Sequence, residues 1–230
     1  MSEGGTRLER LVGRLKRFHG SPPEPPTRDP FRLIVWEQVG YLADDKRRLE
    51  AYRMLEERVG LGPADILHAP LATLRAVTRR GGAIGSNERA SRLGASADRV
   101  IKKWDGNLKL VLDLPLAAAR SELIKYPSIG GPGAERILLL TGAHPVLGLD
   151  SNALRVLQRL GYGDERAPWA QGYRQTQQAA DGDLPRAVPI RRLAYLLLKH
   201  HGQTLCRRTL PRCTECPVLD DCPTGRDAVA

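Results

Sequence analysis

The sequence predicts an all-α fold. Apolar residues recur at helical spacing in most segments, no stretch alternates apolar and polar residues long enough for a useful strand, and proline and glycine clusters cut the chain into helix-sized pieces. A chain of 230 residues is long enough for one large or two small domains with a real core.

Taken in order, residues 8–18 place Leu8, Leu11, Val12, Leu15 and Phe18 on one side with Arg and Lys opposite, an amphipathic helix. Residues 21–30, SPPEPPTRDP, form a proline-rich connection that cannot be helical. Residues 31–41, FRLIVWEQVGY, are nearly continuously apolar, and a polar run follows at 43–48. Periodicity alone allows a strand at 31–41, but the neighbouring segments are helical and no partner strand exists, so a buried helix is expected. The amphipathic stretch 47–59 ends at Gly60-Leu61-Gly62-Pro63. Residues 63–68 read as a short helix or turn, and 70–77 as a helix broken by Arg79-Arg80-Gly81-Gly82. One or two helices are expected over 87–93 and 96–104, and one more over 108–119. Beyond residue 151, helices are expected over 152–160 and over 190–201, where Leu193, Ala194, Leu197 and Leu198 form a stripe; residues 161–185 are polar and poorly patterned.

The charge balance narrows the function classes. Lys and Arg outnumber Asp and Glu by 36 to 26, a net charge of +10, which favours a polyanionic partner with nucleic acid first. No stretch approaches the ~18–20 continuous apolar residues of a membrane helix. The N-terminus is charged throughout and lacks a hydrophobic signal core, so no membrane is expected, and the expected location is cytoplasmic and nucleoid-associated.

Two stretches carry chemistry. In the first, residues 122–156, a helix bearing Leu123 and Ile124 stops at Pro127, because proline disfavours helix in the residue before it. Ser128-Ile129-Gly130-Gly131 is the expected turn, with its two glycines free to take positive φ. Pro132 suits the first position of the next helix, to which Ala134, Ile137, Leu138 and Ala143 give an apolar side. Such a turn uncovers backbone N–H groups at a helix start, where anions such as phosphate bind. Asp150 then stands at the mouth of a third helix, where it, or Ser151 beside it, can also serve simply as a cap. In the second stretch, Cys206, Cys213, Cys216 and Cys222 follow the spacing C-x6-C-x2-C-x5-C. Four thiolates on so compact a loop can bind Zn²⁺ or an iron–sulfur cluster, and Pro211 and Pro217 restrict its path.

The hairpin, the carboxylate and the cysteine spacing together resemble the endonuclease III branch of the helix-hairpin-helix DNA glycosylases. The family's Leu-Pro-Gly-Val-Gly hairpin corresponds to Tyr126-Pro127-Ser128-Ile129-Gly130, with Ser128 in place of the first glycine, and its Val-Asp-Thr-His tetrad to Leu149-Asp150-Ser151-Asn152. The resemblance spans roughly residues 31–222 and implies a two-lobed helical fold. One lobe is a bundle at 29–143 that includes the hairpin (122–141); the other joins 1–28 to 144–230 and carries a [4Fe–4S] loop at 206–222 on the four cysteines. It further implies that Asp150 is the catalytic carboxylate. DNA contacts are implied for Gln38, which would plug the gap left by a flipped base, for Ile84 as an apolar wedge, and for hairpin residues Ser128, Gly130, Gly131 and Gly133. Cations of the cysteine loop, Arg207, Arg208 and Arg212, would meet the backbone. Glu37 and Tyr41 are candidates for the base pocket, although Trp36, Glu37 and Tyr41 replace small or polar residues of the family.

One departure bears on the reaction. The family's Schiff-base lysine falls on Pro132, flanked by Gly131 and Gly133, and none of these is a nucleophile. The resemblance therefore implies a monofunctional glycosylase acting on a damaged or mismatched base in duplex DNA, as a monomer, with a separate AP endonuclease downstream. Two alternatives stand beside it: a glycosylase/AP lyase on oxidised pyrimidines recruiting another amine such as Lys125, and a non-catalytic binder of distorted DNA. Oxidised pyrimidines are the family default; alkylated bases and deaminated or mismatched pyrimidines are open. Adenine opposite oxidised guanine is not expected, since those relatives carry an extra C-terminal domain and this sequence ends eight residues after Cys222.

Overall fold

A computed structural model describes residues 5–41 and 43–229; residues 1–4, 42 and 230, which include both ends of the expected second lobe, lie outside the described residues. The described residues form α-helices with short 3₁₀ turns and no strand, an all-α protein. No described helix is long and apolar enough to cross a membrane.

The chain divides into two compact units. Unit 1 comprises Met1–Glu24 and His144–Ala230, and unit 2 comprises Pro25–Ala143. In unit 2, α2 (Pro30–Val39) starts on the Asp29 cap with Pro30 at its first turn, and α3 is Asp45–Arg58. The helices α4 (Pro63–His68), α5 (Leu71–Arg80) and α2 all pack on the long α6 (Ser86–Trp104). Helices α7 (Leu116–Leu123) and α8 (Gly131–Thr141) pack on each other as the hairpin, and α8 also packs on α2. The core is built from Leu33, Ile34, Leu55, Ile66, Leu93, Leu123 and Ile137, all fully buried.

Unit 1 is organised on α11 (Val188–Thr204), which packs against α1 (Arg7–His19) and α9 (Ser151–Leu157). Gly202 makes this close: a Cβ there would lie 2.8 Å from the Asn152 carbonyl oxygen. After α9 the chain passes through a π-helical turn, Gln158–Tyr162, which ends where Gly161 takes φ 88°. The helix α10 (Trp169–Gly182) and the short α12 (Pro223–Val229) complete the unit.

Several local expectations are revised. Of the one or two helices expected over 87–93 and 96–104, the structure has one, α6. The single helix expected over 108–119 is a 3₁₀ turn, Leu108–Asp113, and then α7, separated because Pro115 cannot continue a helix. The unpatterned stretch 161–185 contains α10, whose buried face is Gly172, Tyr173, Thr176 and Ala180. Those residues have helical spacing, but small and hydroxylated side chains give little apolar signal. The hairpin glycines do not take positive φ; Ser128 does, at φ 67°, while Gly130 sits at φ −82°.

Candidate active site

Asp150 is the N-cap of α9. Its Oδ1 accepts from the backbone N–H of Asn152 (3.1 Å) and of Ala153 (2.8 Å), satisfying two amides that the helix leaves open. The other oxygen, Oδ2, has only a 3.4 Å contact from the Asn152 side-chain amide. The carboxylate is half-buried, directly after the buried run Leu147-Gly148-Leu149. Capping and catalysis are thus compatible: one oxygen fixes the group and the other is directed elsewhere.

Arg155, one turn on, ties this helix to the start of the cysteine loop. It donates to the carbonyls of Cys206 (3.0 Å) and Gly202 (2.8 Å) and to the Asn152 side-chain oxygen (2.9 Å). Burial lowers the pKa of its guanidinium, partly opposed by the charge of Cys206. Arg159 continues the link, reaching Cys206 Sγ at 3.7 Å and the Arg207 carbonyl at 2.9 Å while paired with Glu165.

All four cysteines are free thiols and line one cavity of about 120 Å³, walled by Val156, Leu160, Leu205 and Val218. A cavity of that order holds a small multi-atom body, whereas a single zinc ion with sulfurs at ~2.3 Å leaves no void between them. Among the described residues, no group of three or more His, Cys, Asp or Glu side chains is arranged to hold a metal ion. The cavity lined by the four thiols has room for a group several atoms across. Burial raises the Cys206, Cys216 and Cys222 thiols, Cys216 to about 11. Among the loop cations, Arg207, Arg208 and Arg212 are exposed, and Arg212 is held by Glu215 at 2.5 and 2.7 Å.

Unit 2 carries the hairpin and the loops near the end of α2. Ser128 occupies the left-handed region, at a cost of about 1–2 kcal/mol for a residue with a side chain, and Arg92 donates to its hydroxyl at 2.9 Å. The Gly130 cap brings no side-chain acceptor to the first turn of α8, where Pro132 stands second. Gln38, the expected gap-filler, lies in the core at 1% exposure: its amide donates to Ser96 Oγ and to the Pro127 carbonyl, each at 2.8 Å. Its position makes it a support beneath the hairpin turn, not a surface plug. Two apolar residues protrude instead, Tyr41 (54% exposed) and Ile84 (61%). Their loops are locked together, since Tyr41 N–H bonds the Gly81 carbonyl (3.3 Å) and a Cβ on Gly81 would fall 1.9 Å from the Val39 oxygen. Arg89 is buried and staples the carbonyls of Val39 (2.7 Å), Thr78 (2.8 Å) and Gly82. Glu37 is half-buried and paired with Arg136 of α8 at 3.2 Å.

Comparison with known proteins settles the family. No protein-family profile matches the chain. The endonuclease III of Treponema pallidum, however, is 30% identical over 217 residues, covering 90% of this chain and 92% of that protein. The chain belongs to the endonuclease III family of DNA glycosylases. The Thermotoga maritima endonuclease III is 24% identical over 210 residues, covering 90% of this chain and 88% of its own. In fold, the chain is similar to a trapped endonuclease III–DNA covalent intermediate (TM-score 0.78, 20% identity, 97% of this chain and 98% of that one). It is likewise similar to a thermostable thymine-DNA glycosylase (TM-score 0.75, 19% identity, 96% of this chain and 97% of that one).

Within this endonuclease III-type scaffold, Asp150 and the cysteines belong to unit 1, and the hairpin, Glu37, Gln38, Tyr41 and Ile84 to unit 2. Lys125, the alternative amine, is not idle. Its Nζ lies 2.7 Å from Glu122 Oε1, and Lys103 reaches Oε2 of the same carboxylate at 2.6 Å. Sequence reasoning missed Arg155 and Arg159, whose roles arise from the turn of α9 towards the cysteine loop, and it missed the residues of α10 that face the Asp150 loop.

Hydrogen bonds from Lys103 and then Lys125 hold the Glu122 carboxyl below its usual pKa of 4.5. A depressed folded-state value adds stability that is full above the unfolded pKa and is lost as pH falls through the folded one. The stability difference between wild type and Glu122→Gln, measured by urea denaturation, is therefore expected to be constant near neutrality and to shrink on acidification below pH 4.5.

Proposed function

We propose that this chain is a monofunctional DNA glycosylase, in which Asp150 assists hydrolysis of the N-glycosidic bond of a flipped, damaged or mismatched base. The observation that carries this reading is the combination at the two chemical positions: a carboxylate fixed through one oxygen at residue 150, and Pro132 where the family's amine would stand. As the C1′–N bond breaks, the base leaves with the bonding pair and positive charge develops on the sugar. A carboxylate fixed beforehand stabilises that charge without reorganising, and accepts the proton of the attacking water. The water oxygen forms the new C1′–O bond, and an intact strand with an abasic sugar remains. The engagement of Lys125 by Glu122 supports the absence of a Schiff-base step.

Duplex DNA is the proposed partner, bound as a monomer, with the backbone held by amides at the start of α8 and by Arg207 and Arg208. Tyr41 and Ile84 are the proposed groups for filling the space left by a flipped base, since both are exposed on loops that Arg89 and Gly81 hold rigid. The family name of the curated relatives, endonuclease III, supports a DNA substrate. An abasic product would pass to a separate AP endonuclease.

Cys206, Cys213, Cys216 and Cys222 are the proposed ligands of a [4Fe–4S] cluster, which when bound cross-links the loop through four iron–thiolate bonds. Arg155 and Arg159 would then anchor the start of that loop by its carbonyls, whatever the redox state of the group.

The reading is tested by base release from a panel of lesion-bearing duplexes, with each sample split between alkaline and neutral workup. Strand cleavage only after alkali, lost in Asp150→Asn, is the expected result; release retained in Asp150→Asn would remove Asp150 from the chemistry. Elemental and sulfide analysis of anaerobically purified protein is expected to give about four iron and four sulfide per chain without zinc, and Cys213→Ser to lower both. Stoichiometric zinc would overturn the cluster assignment.

A further inference from the structure

The loop that delivers Asp150 is held by side chains at every second residue. Arg191, fully buried on α11, donates to the Pro145 carbonyl at 2.6 Å. Gln177 of α10 donates to the Leu147 carbonyl at 2.8 Å. The Tyr173 hydroxyl, one turn earlier on α10, accepts the Leu149 N–H at 3.2 Å in a buried bond. The three contacts fall on residues 145, 147 and 149, the third immediately before Asp150.

The brace is itself held in place. Trp169 stacks on the Tyr173 ring, with centroids 5.4 Å apart and planes 24° apart. Gln177 also lies 3.4 Å from the Tyr173 hydroxyl, so the two grips share one network. Arg191 has further partners in the carbonyls of Asp181, Leu184 and Pro185 and in the Asp181 carboxylate, which fix the far end of α10 to α11. A loop pinned only by its ends would let the carboxylate drift, and a drift of about 1 Å at a reacting group can cost a hundredfold in rate.

We propose that Tyr173 and Gln177 are positioning residues for Asp150, setting the height of its carboxylate through the backbone at Leu149 and Leu147. The inference rests on Asp150 being the catalytic carboxylate. Neither side chain is assigned a contact with DNA. Their action is on where Oδ2 stands when charge develops on the sugar, not on how tightly the duplex is held.

Two abasic analogues separate these effects: a duplex carrying a neutral tetrahydrofuran nucleotide, and one carrying a cationic pyrrolidine nucleotide that mimics the charged sugar. Wild type is expected to prefer the cationic analogue, and Asp150→Asn to lose that preference. Tyr173→Phe and Gln177→Met are each expected to reduce the preference about tenfold, with neutral-analogue affinity within about twofold of wild type and thermal stability retained. Single-turnover base release from the lesion duplex that wild type processes fastest should fall in parallel, with KM little changed. If both variants keep the full preference while Asp150→Asn loses it, the brace is only structural and the proposal fails alone. If affinity for both analogues falls together, the residues act on binding or folding and the proposal is again wrong. If Asp150→Asn keeps its preference and its base release, the catalytic reading fails first and the brace falls with it.

Discussion

Arg155 is the side chain on which unit 1 turns. From the second turn of α9 it holds the Asn152 side chain beside the Asp150 cap, the Gly202 carbonyl at the end of α11 and the Cys206 carbonyl at the entry of the cysteine loop. A buried guanidinium is tolerated only when its donors are matched, and here the matching carbonyls come from elements distant in sequence. Gly202 permits this, because any side chain there would strike the backbone of Asn152. The proposed catalytic carboxylate and the proposed cluster loop therefore share one anchor. Loss of order in the loop would be transmitted to the start of α9 through hydrogen bonds, without any electron transfer.

Unit 2 uses the same device differently. Arg89 gathers carbonyls from the end of α2, from α5 and from the glycine loop at 82, and so turns two exposed loops into one rigid edge. Gln38 does for the hairpin what Arg89 does for that edge, holding the Pro127 carbonyl from below. Buried polar side chains that satisfy loop carbonyls leave the loop tips, Tyr41 and Ile84, free to be apolar and exposed. On a strongly basic protein such protrusions suit a ligand with a charged backbone and stacked bases.

The all-α class was legible because helical spacing and proline breaks are local signals. A helix opening beside Asp150 was legible for the same reason, its start at Ser151 one residue from the expected 152. What escaped was long-range or lacked apolar contrast. The helix α10 buries glycine, threonine and alanine around a single tyrosine, so its amphipathicity is one of size and not of hydropathy. Its grip on the Asp150 loop joins residues 24 and 30 positions apart, which no window along the chain brings together. The support given by Gln38 has no local signal, because a polar residue in an apolar run suggests function when the run is read alone; only the packed structure brings Ser96 and Pro127 to its amide. The hairpin glycines misled in the opposite sense. Glycine in a turn points to positive φ, yet the turn places that conformation on Ser128.

In the proposed reaction the glycosidic bond is broken by a carboxylate and water, with no amine attached to the sugar at any stage. Borohydride trapping tests it most directly: enzyme and lesion duplex are mixed, reductant is added during turnover, and covalent protein–DNA adducts are sought on a denaturing gel. Base release with no adduct is the predicted result. An adduct, above all one lost in Lys125→Ala, would contradict it and make an amine of this chain the nucleophile.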